Sequence, residues 1–243
     1  MPVEPIRRTS HDREVSQTAE AVYGSQVAHY QARAAQRLAG NDVWLWPRIE
    51  KIRRRSRARA LDVGCGIGTN SFYLAKHGYS VTGVDISHQM ISAARTVAAT
   101  HIGLDNQPQF ICVDFCDWCP DDPEFDLVVA TAFVHLFPAP LDRAVADGIL
   151  SHVAPHGTAI MSTTVETAHS QGLRHKNDSE HPAPGRPLSD ERWRNHYTRE
   201  TFRNLIEHSV MNHPGTWAFD EHVTADPGRP QQFWSDIVVT RTA

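Results

Sequence analysis

Apolar residues recur along this chain in two rhythms that take turns. From Val15 to Leu38 they return at roughly helical spacing, at Val15, Ala19, Val22, Val27, Tyr30, Ala34 and Leu38. Gly40-Asn41-Asp42 interrupts the pattern, and Asp42 is a fitting N-cap for a second helix over Val43–Arg55. Short runs suited to buried strands follow at Ala60–Val63, Ser80–Val84, Phe110–Val113, Phe125–Thr131 and Thr158–Val165. Helical patterns separate them. Phe72, Leu74 and Ala75 mark one; Ser87 caps a second that runs to about Thr100 and buries Met90, Ile91, Ala94 and Val97. Leu141–Val153 is the third, followed by a turn at Pro155-His156-Gly157. Strands and helices that alternate in this way predict an open parallel α/β sheet. Its carboxyl edge, where ligands of such sheets bind, gathers Gly64, Asp85, Asp114, Thr131 and Val165.

The flanks are less regular. Met1 to about Asp12 has few apolar anchors and reads as a mobile tail, so that residues 13–56 supply the N-terminal lid helices and 57–243 the α/β domain. Glu166–His196 is polar and too long for an ordinary connection, which makes it an insertion over about 166–197. Thr198–Ser209 resumes a helix with Phe202, Leu205 and Ile206 inward. Thr216–Val223 and Gln232–Arg241, separated by the turn-rich Ala225–Pro230, predict a terminal antiparallel pair.

Composition narrows the classes. A chain of 243 residues, 40% apolar with a formal charge of −4, is that of a globular protein with a substantial core, and its mild acidity argues weakly against a nucleic-acid partner. No apolar run approaches the roughly 18 residues of a membrane span. MPVEPIRRTSHDREVSQ lacks the apolar core of a secretory signal, and four cysteines in this length do not make a disulfide framework. A reducing cytoplasm is the expected location.

The chemistry concentrates in Arg59–Asp85, RALDVGCGIGTNSFYLAKHGYSVTGVD. A strand runs into alternating Gly64, Gly66 and Gly68, a helix follows, and a second strand ends on Asp85. Glycines let backbone pass close under a ligand at a helix N-terminus, and a carboxylate on the second strand tip can accept from both hydroxyls of a ribose. This is a site for an adenosine-type ligand. A glycine turn with an acid about 20 residues later also marks NAD-binding domains. The spacing here is G-x-G-x-G, Asp62 precedes the turn, and Asp114 stands at the third strand tip, all of which disfavour NAD.

These segments resemble the class I S-adenosylmethionine-dependent methyltransferases that modify small molecules. ALDVGCGIG is similar to their first motif, Val81–Asp85 to the second, Val113–Trp118 to the third, Phe125–Phe137 to the fourth and Gly148–Thr163 to the segment after it. The resemblance covers about Tyr23 to the C-terminus and implies a Rossmann-like seven-stranded sheet, mostly parallel with an antiparallel last strand. It implies S-adenosylmethionine as the cofactor and, for the acceptor, an N, O or aromatic C nucleophile of a small aromatic or heteroaromatic molecule of specialised metabolism. Gly64, Gly66 and Gly68, with Cys65 between them, would lie against the methionyl part, and Asp62 would orient its amino group. Asp85 would bind the ribose hydroxyls, Ile86 and Met90 would flank the adenine, and Asp114 would accept from the adenine amino group with Phe115 donating its backbone N–H. Ala130 and Thr131 would reach the amino-acid end.

For the reaction itself, His135 is the candidate base, since its ordinary pKa of ~6.5 suits a base near neutrality. It could equally pack at the pocket wall. Tyr23, Tyr30 and Arg33 share one face of the first lid helix. On the resemblance, Tyr30 and Arg33 would meet the cofactor carboxylate and Tyr23 the acceptor. Phe115, Trp118, Phe133, Phe137, Trp193 and Tyr197 lie where they could wall an acceptor pocket.

Three other features invite function and are read as structural. The run Arg48, Lys51, Arg53, Arg54, Arg55, Arg57, Arg59 lacks interleaved aromatics and suits a solvated helix end better than RNA contact, although an RNA methyltransferase is the runner-up. The fifteen histidines are scattered; His169, His175 and His181 lack metal-ligand spacing. Cys116–Cys119 has no matching pair, and Cys112 reads as a buried strand residue. A cofactor-binding partner subunit without catalysis is a further alternative. Exchange of the N-terminal helices between two copies would give a homodimer, though no residue demands it.

Overall fold

The computed structural model describes residues 3–40, 45–53, 55–100, 106–166, 170–175, 191–226 and 229–242. Two helices, α1 (Ser10–Gly24) and α2 (Val27–Gly40), precede a single turn of helix, α3 (Trp46–Ile49). The α/β alternation follows: β1 (Arg59–Val63), α4 (Thr69–Lys76), β2 (Ser80–Asp85), α5 (His88–Thr100), β3 (Gln109–Cys112), β4 (Phe125–Thr131), α6 (Leu141–Ser151) and β5 (Val153–Val165). A hairpin of β6 (Ser170–His175) and β7 (Glu191–His196) comes next, then α7 (Arg199–Met211), β8 (Trp217–Asp226) and β9 (Arg229–Arg241).

Seven strands form one sheet in the order β3-β2-β1-β4-β5-β9-β8. β1 to β5 run parallel, and β9 is antiparallel to both of its neighbours. The chain therefore winds outward from β1 in one direction and from β4 in the other. At that divergence the connections leave on opposite faces and open a crevice over the strand tips. Leu61, Val63, Val84, Val128 and Ala130 are buried in the core cluster beneath it.

The N-terminal segment departs from the mobile tail read over Met1–Asp12. Residues 3–9 lie along the protein, and the Ile6 amide donates to the Cys116 carbonyl at 2.8 Å. Gly148 leaves room for this docking, because a Cβ there would stand 2.9 Å from the Ile6 Cδ1. Helix α1 then begins at Ser10 on a Thr9–Asp12 capping box, earlier than the apolar rhythm suggests. The single helix read over Val15–Leu38 is two helices, parted at Ser25-Gln26. Of the helix expected over Val43–Arg55, the described residues hold only Trp46–Ile49 and the turn after it; Asp42 and Arg54 lie outside them.

On the far side of the chain, part of the polar insertion is a β-hairpin. Val165 bridges to Tyr197, which closes the hairpin's base onto the sheet. Cys112, expected to be buried, is exposed, because β3 is the edge strand.

Candidate functional site

The glycine turn after β1 is held open by three left-handed backbone positions, at Gly64, Gly66 and Gly68. At Gly64, with φ +66°, a Cβ would lie 2.5 Å from the Phe133 ring, so only glycine fits. At Gly66, with φ +55°, a Cβ would meet nothing within 4 Å, because that side faces an open cavity. The turn is tied to the tip of β2. Cys65 N–H donates to the Val84 carbonyl at 3.0 Å, and Gly66 N–H to Asp85 Oδ2 at 2.8 Å. The other carboxylate oxygen, Oδ1, accepts from Ser87 N–H at 2.9 Å. Burial pushes the Asp85 pKa up, and the two amides pull it back. Each oxygen keeps lone-pair capacity for another donor.

A cavity of about 470 Å³ opens over this turn, roofed by the N-terminal helices. From the roof it is lined by Tyr23, Tyr30 and Arg33; Arg37, Val15, Ser16 and Ala19 join them. The helix break does not separate the tyrosines, whose ring centroids are 5.9 Å apart. From the sheet edge come Gly64, Cys65, Gly66 and Asp85, then Ile86, Met90, Asp114 and Phe115, and finally Thr131 and His135. Asn70 on α4 also lines it and donates from Nδ2 to Thr131 Oγ1 at 3.3 Å.

Three predicted residues stand behind the wall. Gly68 and Ala130 do not line the cavity, and a Cβ on Gly68 would meet the Phe110 ring. Asp62 is 2% exposed and accepts from Ser71 Oγ at 2.6 Å. It braces the start of α4 beneath the turn and does not line the cavity. Burial pushes its pKa up to about 7, against the bonds from Ser71. Because the folded protein then holds this proton more tightly than the unfolded chain, the stability contributed by Asp62 is full below an ordinary carboxylate pKa and is lost as pH rises through about 7. Denaturation of Asp62→Asn at pH 5 and pH 8 checks this: relative to the parent, the variant is expected to gain at pH 8. An unchanged difference would place the titration elsewhere.

Asp114 has a partner that the sequence does not suggest. Arg8, with a side chain 2% exposed, donates to Asp114 Oδ2 and Asp117 Oδ2, both at 2.5 Å. Asp114 Oδ1 accepts from Cys116 N–H at 3.0 Å. The third strand tip is thus clamped by the N-terminal segment. Nothing in the local pattern around Arg8 signals it.

The opposite end of the cavity is aromatic. Ala132, at φ +53°, bends the chain after β4 and delivers Phe133, His135, Leu136 and Phe137 to the wall. Thr164 and Trp234, paired across β5 and β9, complete it with Arg194 from β7. His135 is 2% exposed, and its Nδ1 lies 3.0 Å from Thr163 Oγ1. Of the other predicted aromatics, Phe115 lines the cavity, Trp118 packs on His152, Trp193 meets His11 edge-on and Tyr197 is buried on Asp142.

Two arginines of the basic run serve the fold. Arg59 pairs with Asp122 and stacks over Phe125, and Arg55 reaches Asp126 at 3.9 Å and the Pro155 carbonyl at 3.4 Å. Both stand at the amino edge of the sheet, opposite the cavity. Among the described residues no three His, Cys, Asp or Glu are grouped to hold a metal ion, and no helix is long and apolar enough to cross a membrane. His169 and His181 lie outside the described residues.

The family model of the methyltransferase domain matches residues 60–157, which span β1 to the start of β5. Over that stretch the chain is similar to a methyltransferase domain. The glycine cradle, open at Gly66 beside the Asp85 carboxylate, fits the nucleoside that such a domain takes. Over this region the chain is 35% identical across 105 residues to the phosphatidylethanolamine N-methyltransferase of Cereibacter sphaeroides, covering 40% of this chain and 50% of that protein. It is 33% identical across 104 residues to the ubiquinone biosynthesis O-methyltransferase of Coxiella burnetii (strain Dugway 5J108-111), covering 42% of each. The chain spans half or less of the length of the curated relatives it matches.

Among solved structures, the 1,6-didemethyltoxoflavin-N1-methyltransferase of Burkholderia thailandensis, crystallised with 1,6-didemethyltoxoflavin and S-adenosylhomocysteine, aligns over 100% of this chain and 94% of that one. Its TM-score is 0.65 at 15% identity, a likeness of fold. The likeness of fold therefore extends through the terminal strands outside residues 60–157.

Proposed function

We propose that the protein transfers a methyl group from S-adenosylmethionine to an N, O or aromatic C nucleophile of a small aromatic or heteroaromatic molecule. One observation carries this reading: a single roofed cavity runs from the glycine turn and Asp85 to the aromatic wall around His135. In this reading Asp85 accepts from the ribose hydroxyls through its two remaining lone pairs. Ile86, Met90 and Phe115 sandwich the adenine, and Thr131, Tyr30 and Arg33 hold the amino-acid end. Bound there, S-adenosylmethionine supplies a methyl group already activated by its sulfonium.

What the chain adds is alignment and exclusion of water. Phe133, Phe137 and Trp234 present flat apolar faces to an acceptor of similar shape, and α1 and α2 close over it. His135 takes the acceptor's proton: with Nδ1–H donating to Thr163 Oγ1, the lone pair lies on Nε2. Tyr23, on the roof, faces the acceptor from above.

A mass-shift screen tests the reading, with protein, cofactor and a panel of aromatic metabolites scored for a gain of one methylene. His135→Ala is expected to lower kcat by roughly 10²–10³-fold with little change in S-adenosylhomocysteine affinity. Unchanged turnover would reduce His135 to a wall residue.

A further inference from the structure

We propose that Trp46, outside the cavity, positions two donors that read the carboxylate at the amino-acid end of the cofactor: the side-chain amide of Asn70 and the hydroxyl of Thr131. The proposal rests on the methyltransferase reading and says how one end of that cofactor is told from an analogue lacking it.

Trp46 opens α3 and is 1% exposed. Its ring stacks on Tyr73 of α4, with centroids 4.0 Å apart and planes 9° from parallel, and Tyr73 OH donates to Glu50 Oε1 at 2.7 Å. The indole is therefore fixed in place. An indole N–H can only donate, so the Asn70 atom that Trp46 Nε1 meets at 3.2 Å is the carbonyl oxygen. That contact turns the amide nitrogen toward Thr131, and Nδ2 donates to Oγ1 at 3.3 Å. A hydroxyl that accepts this bond still has its own hydrogen to give, and the amide has a second N–H. Among the described residues neither hydrogen has a protein acceptor.

Asn70 and Thr131 line the cavity, whereas Trp46 does not. β1 lies between β2 and β4, and neighbouring strands are about 4.8 Å apart, so the tip of β4 stands about 10 Å from that of β2. A cofactor whose ribose sits on Asp85 crosses the glycine turn and brings its amino-acid end to Thr131. A carboxylate only accepts, and two oriented donors give it charge-assisted bonds. Arg33 and Arg37 line the same cavity from the roof and add positive charge, so loss of the donor pair lowers the preference for a carboxylate without erasing it. Trp46 sets the direction of the whole relay. Without its N–H the Asn70 amide can turn over, Oδ1 then accepts the Thr131 hydrogen, and the cavity loses a donor.

The test titrates the full chain, by calorimetry, with S-adenosylmethionine and with decarboxylated S-adenosylmethionine, which differ by one carboxylate. The parent is expected to bind the first about 10- to 100-fold more tightly. Asn70→Ala and Thr131→Val should each cut that preference by about 10-fold, and Thr131→Ser, which keeps the hydroxyl, should retain most of it. Trp46→Phe keeps a ring on Tyr73 and deletes the N–H, and should cut the preference by about 3- to 10-fold. Affinity for the decarboxylated form should stay within about 3-fold throughout, which a merely structural loss would not allow. Thr131→Val, of the same shape as the parent residue, carries the test should Asn70→Ala fail to fold. A parent without the preference, an unchanged preference in Trp46→Phe, Asn70→Ala or Thr131→Val, or equal losses for the two ligands overturns the proposal. Failure of both ligands to bind the parent would instead remove the methyltransferase reading.

Discussion

Replacing Asp85 with alanine is expected to weaken S-adenosylhomocysteine binding by about 100- to 10,000-fold. Two contributions add. A carboxylate that accepts from two ribose hydroxyls makes charge-assisted bonds, each worth about 1.5–3 kcal/mol, and truncation removes both. The same carboxylate holds Gly66 N–H and Ser87 N–H, which fixes the glycine turn against the tip of β2 and caps the entry to α5. Without it the turn loses the bond that shapes its cradle. Asp85→Asn separates the contributions: its amide oxygen can still accept one of the backbone N–H groups, so the fold is kept while the charge and one acceptor go. An intermediate loss, about 10- to 30-fold, is expected for it. Calorimetric titration at pH 7.5 gives the affinities, and thermal unfolding of the unliganded variants reports the cost to the fold. Affinity within 3-fold of the parent in Asp85→Ala, with the fold intact, would remove the nucleoside reading of the cavity.

The parts of the site that local chemistry dictates were legible in the chain. A glycine turn between two strands has to be local, and the acid at the end of the second strand lies at the carboxyl edge once the sheet is parallel. Gly64, Gly66 and Asp85 accordingly stand where the pattern puts them. Tyr23, Tyr30 and Arg33 were legible for a weaker reason: their spacing survives a helix break that the spacing does not reveal.

Pairing at long range was not legible. Arg8 meets Asp114 across 106 positions, and no periodicity marks an arginine in a polar segment as buried. Thr164, Arg194 and Trp234 reach one wall only because β9 lies beside β5 and the hairpin base bridges to Val165. Asp62 shows the converse. Its place beside the turn suggests contact with the ligand, yet a strand residue before the tip is already under the next helix, and Ser71 claims it.

The second large effect belongs to that unsuspected arginine. Arg8→Ala is expected to reduce stability by about 2–3 kcal/mol and affinity for S-adenosylhomocysteine by about 10- to 100-fold. Removing one partner of a nearly buried ion pair leaves the other charged and poorly solvated. Asp114, 17% exposed, would keep only the Cys116 amide on its other oxygen; Asp117, 47% exposed, can turn to water and matters less. The loss of affinity follows from connectivity. Thr9, next in the chain, is the N-cap of α1, and α1 carries Val15, Ser16, Ala19 and Tyr23 over the cavity. Freeing Arg8 releases the anchor of the roof and the geometry of the third strand tip together. Arg8→Lys keeps the charge but cannot span both carboxylates with a planar fork, so it should fall between parent and alanine. Urea denaturation and calorimetry on the three proteins separate the two losses. If Arg8→Ala unfolds at lower urea but binds S-adenosylhomocysteine as the parent does, the segment is a brace for the sheet edge alone. If both fall and lysine recovers part of each, the N-terminal strap and the nucleoside site are one cooperative unit.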